Sequence, residues 1–307
     1  MTPDFAQNLR QALEESLGFA LKPLVRLDGA TTLNFKAERE SDGFAFAVKC
    51  VPLRKRAAYE STLRQLDALA GTKAVSRLFP GRIRKFGDYD IVCLSWCEGE
   101  RLFPDQLTDE QADALVDDYL AFSAVLQQSE PSVPTADFKA LRQQALDRCR
   151  GLWARGVRKL IDTDLAEDRI TLRAERARLV HGDFHHGNFL FRDGRISGIF
   201  DFENITWGYP TEDFIRYFVC ASEHLRWYNQ HRKRRILRMF RRIVLRAPYG
   251  SAEWEAALDR LLMEKVSRKA ADYGLGFFMS LNLLFRAHYY RVMKRIAALA
   301  LNNGGRA

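Results

Sequence analysis

Three histidines, an aspartate and an asparagine fall within HGDFHHGNFLF, residues 181–191, which runs on into Phe and Leu. Residues of these types handle metals, phosphates or protons. The stretch therefore reads as a metal cluster, a phosphate-handling loop, or a plain turn into a strand. His185 and His186 invite zinc, but adjacent side chains point apart and no Cys or further His is spaced to finish a tetrahedral set. Zinc is the weaker assignment, and His181 reads as a core histidine bonded to backbone.

The chain continues as NFLFRDGRISGIFDFEN, residues 188–204. Asp193-Gly194 between two strand-like runs signals a two-residue hairpin, because a type I′ turn needs positive φ at both positions. Pairing Arg192 with Arg195 and counting outward sets Asn188 opposite Ile199, with Asp201 two residues beyond. Alternation then places Asn188 and Asp201 on one face as diagonal neighbours roughly 7–8 Å apart. Phe189, Phe191, Ile196 and Phe200 share the other face, which should pack on the core, while Leu190 and Ile199 floor the polar side. An amide oxygen and a carboxylate converging from a short hairpin suit Mg²⁺, which completes its shell with water and phosphate. Asp183, on the loop entering the hairpin, stands beside that point, where a carboxylate can orient and deprotonate an attacking hydroxyl. A D-G hairpin with polar flanks is usually only a turn, so this reading needs support from elsewhere in the chain.

The elements that would position these groups follow from periodicity. GFAFAVKCV (43–51) alternates as a strand, with Phe44, Phe46 and Val48 on one face and Ala45, Ala47 and Lys49 on the other. TTLNFKAE (31–38) and YDIVCLSW (89–96) also read as strands, with a helix near 55–70 between. Beyond CEGERL (97–102) the pattern is helical near 108–128, 138–158, 211–224, 231–246, 252–271 and 278–300, interrupted by a β segment around 179–201. A chain of 307 residues, 47% of them hydrophobic, suits two modest domains or one domain with two lobes and a real core. No repeat or low-complexity tract appears. Five Cys without a C-x-x-C pair read as reduced core thiols. The first residues lack the basic head and apolar run of a signal peptide, and GLGFFMSLNLLF (274–285) is too short to span a bilayer, which predicts a cytoplasmic protein.

With these pieces in order, the sequence resembles the aminoglycoside phosphotransferase and choline kinase family, which shares the protein-kinase-like fold. The resemblance rests on H-G-D-x4-N followed by D-F-E, with Asp183, Asn188 and Asp201 in register, and runs from about residue 22 to 225. It implies an α+β architecture of two lobes: a small antiparallel-sheet N-lobe with one helix, residues 1–97, and a larger, mainly helical C-lobe, residues 98–307. It also implies ATP and Mg²⁺ as cofactors, with Asp183 as catalytic base and Asn188 and Asp201 as metal ligands. Lys49 in FAVKC looks like the family's strand lysine on the α- and β-phosphates, and Glu60 resembles the acid that holds it. Ala47 would sit over adenine, and backbone groups from Ser95 through Trp96 to Cys97 would bond its edge. LDGATTLNFKAE lies where the phosphate-covering loop belongs, with Gly29 and Asn34 in a simpler G-x4-N-F form than the Gly-rich loop of protein kinases. Glu203 matches the family's second acid, and Asp213 in YPTEDFIRYF resembles the helix acid that braces the catalytic loop.

Acceptor identity is read from charge. Lys and Arg total 48 against 39 Asp and Glu, and the whole excess is carried by nine basic residues between Arg226 and Arg246, where no acid occurs. Within 231–246 an apolar face of Ile236, Met239, Phe240, Ile243 and Val244 opposes Arg234, Arg235, Arg238, Arg241 and Arg242. A solvated basic face is the plain reading. The alternatives are recruitment of an anionic substrate or docking on the anionic inner face of a membrane. Polycationic aminoglycosides rank below a neutral or anionic sugar, polyol or glycan on this basis. Nucleic acid is disfavoured because no recognition motif accompanies the patch. Trp207, Trp227 and Tyr228 are candidates for the acceptor pocket.

Overall fold

The computed structural model describes residues 3–304 except 28–32, 58, 61–68, 70–74, 76–77, 129–136, 153, 172, 174–175, 225–229 and 274–276. The chain begins with helix α1 (Pro3–Leu17) and a five-stranded antiparallel sheet of β1 (Val25–Leu27), β2 (Leu33–Glu38), β3 (Ala45–Pro52), β4 (Leu78–Phe86) and β5 (Tyr89–Ser95). Their spatial order is β1-β2-β3-β5-β4. Alternation sorts the two faces. Phe35, Ala37, Phe46, Val48, Cys50, Ile91 and Cys93 are buried with Leu9 and Leu13 of α1 in one core. Asn34 pairs with Lys49 and Lys36 with Ala47 across β2 and β3, so these four side chains share the opposite face, toward the rest of the molecule. Strand β4 was not legible in the sequence: LFPGRIRKF carries Pro80 and Gly81 mid-strand, which edge position tolerates because one side of the ladder is unpaired.

The second lobe is helical: α2 (Asp109–Leu126), α3 (Phe138–Arg148), α4 (Arg155–Thr163), the single-turn α5 (Glu167–Ile170), α6 (Pro210–His224), α7 (Gln230–Arg246), α8 (Ser251–Tyr273) and α9 (Phe277–Gly304). Thr108 and Gln111 form a reciprocal capping box that starts α2. The helix expected over 138–158 is two, because the chain breaks between them at Gly151, φ +86°. Between α5 and α6 lie two small sheets, β6 (Arg178–Val180) with β9 (Thr206–Gly208), and the hairpin β7 (Phe189–Arg192) with β8 (Arg195–Ile199). Trp254, Tyr119, Tyr217, Phe122, Phe184 and Phe214 lie fully buried in one continuous core beneath them. Each such side chain is worth about 1.5–3 kcal/mol of apolar burial, which fixes the platform that carries the loops. Among the described residues no helix is long and apolar enough to cross a membrane.

The basic segment folds differently from the solvated face expected of it. Helix α7 lies against α2: Arg232 meets Asp105 just ahead of α2, and Arg238, Arg242 and Arg246 meet Asp109, Asp113 and Asp117 at successive helical turns. Arg242 serves two acids, Asp109 and Asp113, at 2.8 and 2.6 Å. Four of the nine basic residues of this run are therefore engaged in an interhelical ladder, and among the described residues Arg234, Arg235 and Arg241 are exposed arginines outside it. The ladder escaped the sequence reading because its acids stand some 129 residues earlier.

Candidate active site

The loop from β6 to β7 is held from below by one carboxylate. Asp213 of α6, fully buried, accepts from the backbone N–H of His181 at 2.7 Å and of Gly182 at 2.9 Å, and from the Tyr119 hydroxyl at 2.8 Å. Burial nonetheless pushes the Asp213 carboxyl above its ordinary range, against the pull of these donors and of His181. Gly182 adopts φ +77°, and a Cβ there would lie 1.9 Å from the Asn204 carbonyl oxygen, so only glycine fits. His181 is buried as expected, with Nδ1 accepting from the Asp183 N–H at 3.3 Å and Nε2 facing the Phe200 carbonyl at 2.9 Å. That arrangement puts its proton on Nε2, toward the carbonyl.

Asp183 emerges half-buried from this cradle. The Asn188 amide donates to the Asp183 carbonyl at 2.9 Å and to its carboxylate Oδ2 at 3.1 Å. Both partners are acceptors, which fixes the amide orientation and leaves Asn188 Oδ1 as its acceptor atom. Burial acts to raise the Asp183 carboxyl, but the neighbouring His185, with His181 and Arg216 behind it, brings it below the ordinary carboxylate range. Asp183 is thus ionised at neutral pH.

The hairpin forms at Asp193-Gly194, both with positive φ, and Arg192 pairs with Arg195. Its register then departs from the simple count. Leu190 pairs with Gly198 but Phe191 with Ile196, so Ser197 is an extra residue on β8. Its hydroxyl donates to the Glu98 carbonyl at 2.6 Å. Phe189, not Asn188, faces Ile199; Asn188 bonds Phe200 instead, through the Phe200 N–H at 3.0 Å. Ile199 consequently joins the core face and Phe200 leaves it. Alternation alone would now carry Asp201 inward as well. Asp201 instead takes φ +67°, the left-handed region, and its carboxylate reaches Lys49. The bulge and the turn offset one another, so Asp201 reaches the Lys49 side by a route that the even hairpin count did not contain.

Lys49, 8% exposed, stands on β3 between two carboxylates, Asp201 Oδ1 at 2.9 Å and Glu203 Oε1 at 2.6 Å. Burial would lower its pKa, but Tyr59, Asp201 and Glu203 more than offset it and hold the ammonium charged. Glu60, expected as its acid, lies half-buried on the short helical segment after β3, where its charge also bears on Arg56. Glu203 was legible only as a second acid; nothing in its spacing indicated that it grips the lysine. Ala47 shares the Lys49 face, opposite Leu94 of β5. Ser95 ends β5, Trp96 lies under Lys36 with 5.0 Å from ammonium to ring centroid, and Cys97 packs on Gly198, where a Cβ would meet its Sγ at 2.7 Å. Asn34 sits beside Lys49 across the sheet, and Gly29 lies outside the described residues. The Asn188 amide oxygen and the Asp201 and Glu203 carboxylates are hard oxygen donors, the set that fits Mg²⁺.

A cavity of about 300 Å³ opens on Asp183 and is walled by Trp207, Phe138, Arg216, Glu264 and Arg268. Of the aromatics considered for an acceptor pocket, Trp207 lines it, and Trp227 and Tyr228 fall outside the described residues. The arginines and Glu264 come from α6 and α8 with no motif to announce them.

Three side chains of zinc-ligand type meet in space although no third was spaced for it in the sequence. Cys220 of α6 joins His185 and His186, and one ligand atom from each lies within 4.8 Å of the others. The histidines do not simply diverge. His185 Nδ1, however, accepts the Gly187 N–H at 3.0 Å, so its proton sits on Nε2, 3.7 Å from Asp183 Oδ2. In that tautomer neither ring nitrogen offers a lone pair to a metal, and His185 serves the Asp183 carboxylate instead.

Comparison with known proteins identifies the fold and the family. The amicoumacin kinase hAmiN, in complex with AMP-PNP, Ca²⁺ and Ami, superposes with a TM-score of 0.61 at 12% identity, covering 94% of this chain and 96% of that one. The macrolide 2′-phosphotransferase MphH from Brachybacterium faecium gives 0.59 at 15% identity over 98% of both chains. Spectinomycin phosphotransferase APH(9)-Ia, with ADP and spectinomycin, gives 0.59 at 14% identity over 97% of this chain and 98% of that one. Superpositions of this quality at such low identity establish a shared kinase-like fold and no more. No curated protein matches the sequence. The model of the phosphotransferase enzyme family matches residues 24–262, most of the chain, and the protein belongs to that family of kinase-like small-molecule phosphotransferases.

Proposed function

We propose that the protein moves the γ-phosphoryl group of ATP to a hydroxyl of a non-protein acceptor in the cytoplasm, a neutral or anionic sugar, polyol or glycan. Residues 1–97 form the nucleotide lobe and 98–307 the catalytic and acceptor lobe. Asp183 accepts the hydroxyl proton, and its ionised state suits that task. Lys49 clamps the α- and β-phosphates, exchanging Asp201 and Glu203 for phosphate oxygens as nucleotide enters. Glu60 takes a share of that lysine, Gly29 and Asn34 belong to the covering loop, and Ala47 with Ser95, Trp96 and Cys97 frames adenine. Asn188 and Asp201 would hold Mg²⁺, which supplies charge neutralisation on the transferring phosphoryl group.

The observation that carries the reading is the convergence at Asp183. On one side Asn188 bonds Asp183 and, through the Phe200 N–H, the backbone next to Asp201, which is paired with Lys49 of the sheet; on the other is a cavity of sugar-sized volume with an aromatic wall. The acids of that cavity also bear on acceptor class. Glu212 and Glu264 are already bound by Arg260, Arg216 and Arg268, so a polycation would have to break existing pairs to enter. These closed pairs stand against aminoglycosides more directly than the basic helix does, since four of its arginines are engaged by the acids of the ladder. Docking of the exposed Arg234, Arg235 and Arg241 on an anionic membrane surface is a secondary proposal, tested by salt-sensitive flotation with phosphatidylserine vesicles.

The test of the main reading is Mg²⁺-dependent ADP release across a panel of sugars, polyols, amino alcohols, aminoglycosides and anionic glycans. Acceptor-dependent release supports it and names the class. ATP binding without transfer to any member points to a nucleotide-binding scaffold.

A further inference from the structure

The acceptor cavity carries two kinds of charged pair. Arg260 and Glu212 are closed on each other, Nε to Oε1 at 2.8 Å with both side chains 2% exposed, and Arg260 also bonds the Ile170 carbonyl and covers the Phe138 ring. That pair is structural. Glu264 is shared: Oε2 accepts from Arg216 at 2.7 Å and Oε1 from Arg268 at 2.6 Å. Burial opposes the ionised form of Glu264, yet Arg216 and Arg268 hold its carboxyl below the ordinary range, so it stays charged. Next to it on α8, Lys265 adds a third cation, whose ammonium is pushed down by burial and then by repulsion from Arg268 and Arg216. One carboxylate therefore sits among three cations beside the catalytic base, in a half-buried setting where charges are screened less than at an open surface.

Arg268 is the member positioned to recruit a ligand. Its side chain is 63% exposed at the cavity wall and touches Glu264 end-on through a single N–H, whereas a guanidinium presents five donors in a fork matched to two-oxygen anions. We propose that the acceptor carries an anionic two-oxygen group, a carboxylate or a phosphate monoester, which docks on Arg268 and Arg216 while its hydroxyl faces Asp183. The proposal deepens the phosphotransferase reading and rests on it for the role of Asp183. It narrows the acceptor from neutral or anionic to anionic, and it makes Arg268 a determinant of specificity. An acceptor with an ammonium in the same place would meet the like charges of Arg268 and Arg216.

A matched set of acceptors tests it: a neutral hexose, its hexuronic acid, its hexose phosphate and its hexosamine, each assayed for ADP release with wild type, Arg268→Gln and Arg268→Lys. One charge-assisted pair predicts that kcat/KM for an anionic member exceeds the neutral one by about tenfold or more, mostly through KM, and that Arg268→Gln removes most of this ratio. The lysine variant restores part of it, and which anionic member wins distinguishes carboxylate from phosphate. Preference for the neutral or amino member, or an anionic-to-neutral ratio unchanged in Arg268→Gln, overturns the proposal. Binding is read separately from turnover, as thermal stabilisation of the AMP-PNP-loaded protein by the hexuronic acid and the hexose phosphate. Stabilisation lost in Arg268→Gln supports the anion site even if no member is phosphorylated, in which case the transferase reading is what fails. No stabilisation by either anion, or equal stabilisation in both proteins, overturns the site even where neutral sugars turn over.

Discussion

Gly182→Ala separates the chemistry of this site from its nucleotide binding. The residue holds φ +77°, which costs an L-residue roughly 1–2 kcal/mol. The larger effect is steric. The new Cβ would stand 1.9 Å from the Asn204 carbonyl oxygen, and real Cβ atoms essentially never approach closer than 3.0 Å, so the two backbones must part by about 1 Å. Neither can give cheaply. Gly182 is pinned by Asp213, and Asn204 ends the 3₁₀ turn that follows Asp201. The displacement therefore opens the distance between Asp183 and Asp201, and misplacement of about 1 Å between reacting groups costs on the order of 10²-fold in rate. Lys49 and Ala47 are carried by β3, away from this contact, and only the Lys49 partners Asp201 and Glu203 lie at the displaced turn. The expected result is a folded protein whose kcat falls about 100-fold while its affinity for ADP changes by less than about tenfold, read by coupled ADP release and titration calorimetry. A folded Gly182→Ala variant with kcat within about threefold of wild type would refute the steric argument.

Asp213→Ala strands three buried donors, the N–H groups of His181 and Gly182 and the Tyr119 hydroxyl, at about 1–3 kcal/mol each. Urea unfolding should show a loss of at least about 3 kcal/mol, and a loss under about 1 kcal/mol contradicts the cradle. Asp259, paired with Lys294 and 7% exposed, has its carboxyl raised to about 6 by burial against the pull of that lysine. A folded-state pKa above the unfolded value of 3.8 means its contribution is full below the lower value and lost as pH rises through about 6. Stability of Asp259→Asn relative to wild type should accordingly rise by up to about 3 kcal/mol from pH about 4 to about 7, and a fall over that interval would reverse the assignment.

How far the sequence could reach depends on the distance over which each feature is encoded. Asp183, Asn188 and Asp201 lie within 19 residues of one another, and the D-G turn, the strand of Lys49 and the helix acid Asp213 each announce themselves locally. What local pattern could not supply is the Ser197 bulge, because one unpaired residue reverses every face beyond it without changing the hydrophobic composition. The face shared by Asn188 and Asp201 was inferred from an even ladder, and Asp201 reaches Lys49 instead through a bulge followed by a left-handed turn. Long-range pairing was equally opaque. The arginines of α7 looked like a solvated or docking surface until α2 brought its acids to them, and Glu203 meets Lys49 across 154 residues of chain. The cavity wall of Arg216, Glu264 and Arg268 belongs to helices that periodicity found readily, but which of their residues face Asp183 follows only from how those helices pack.

The most direct test of the account is Asp183→Ala measured twice, for transfer and for nucleotide affinity, with whichever acceptor the panel identifies. Loss of a positioned base predicts that kcat falls by about 10²–10⁴ while ATP affinity stays within a few fold, since Lys49 and Asp201 remain in place. Undiminished transfer by a folded Asp183→Ala protein would contradict the assignment of Asp183 as the base, and with it the chemistry placed at this site.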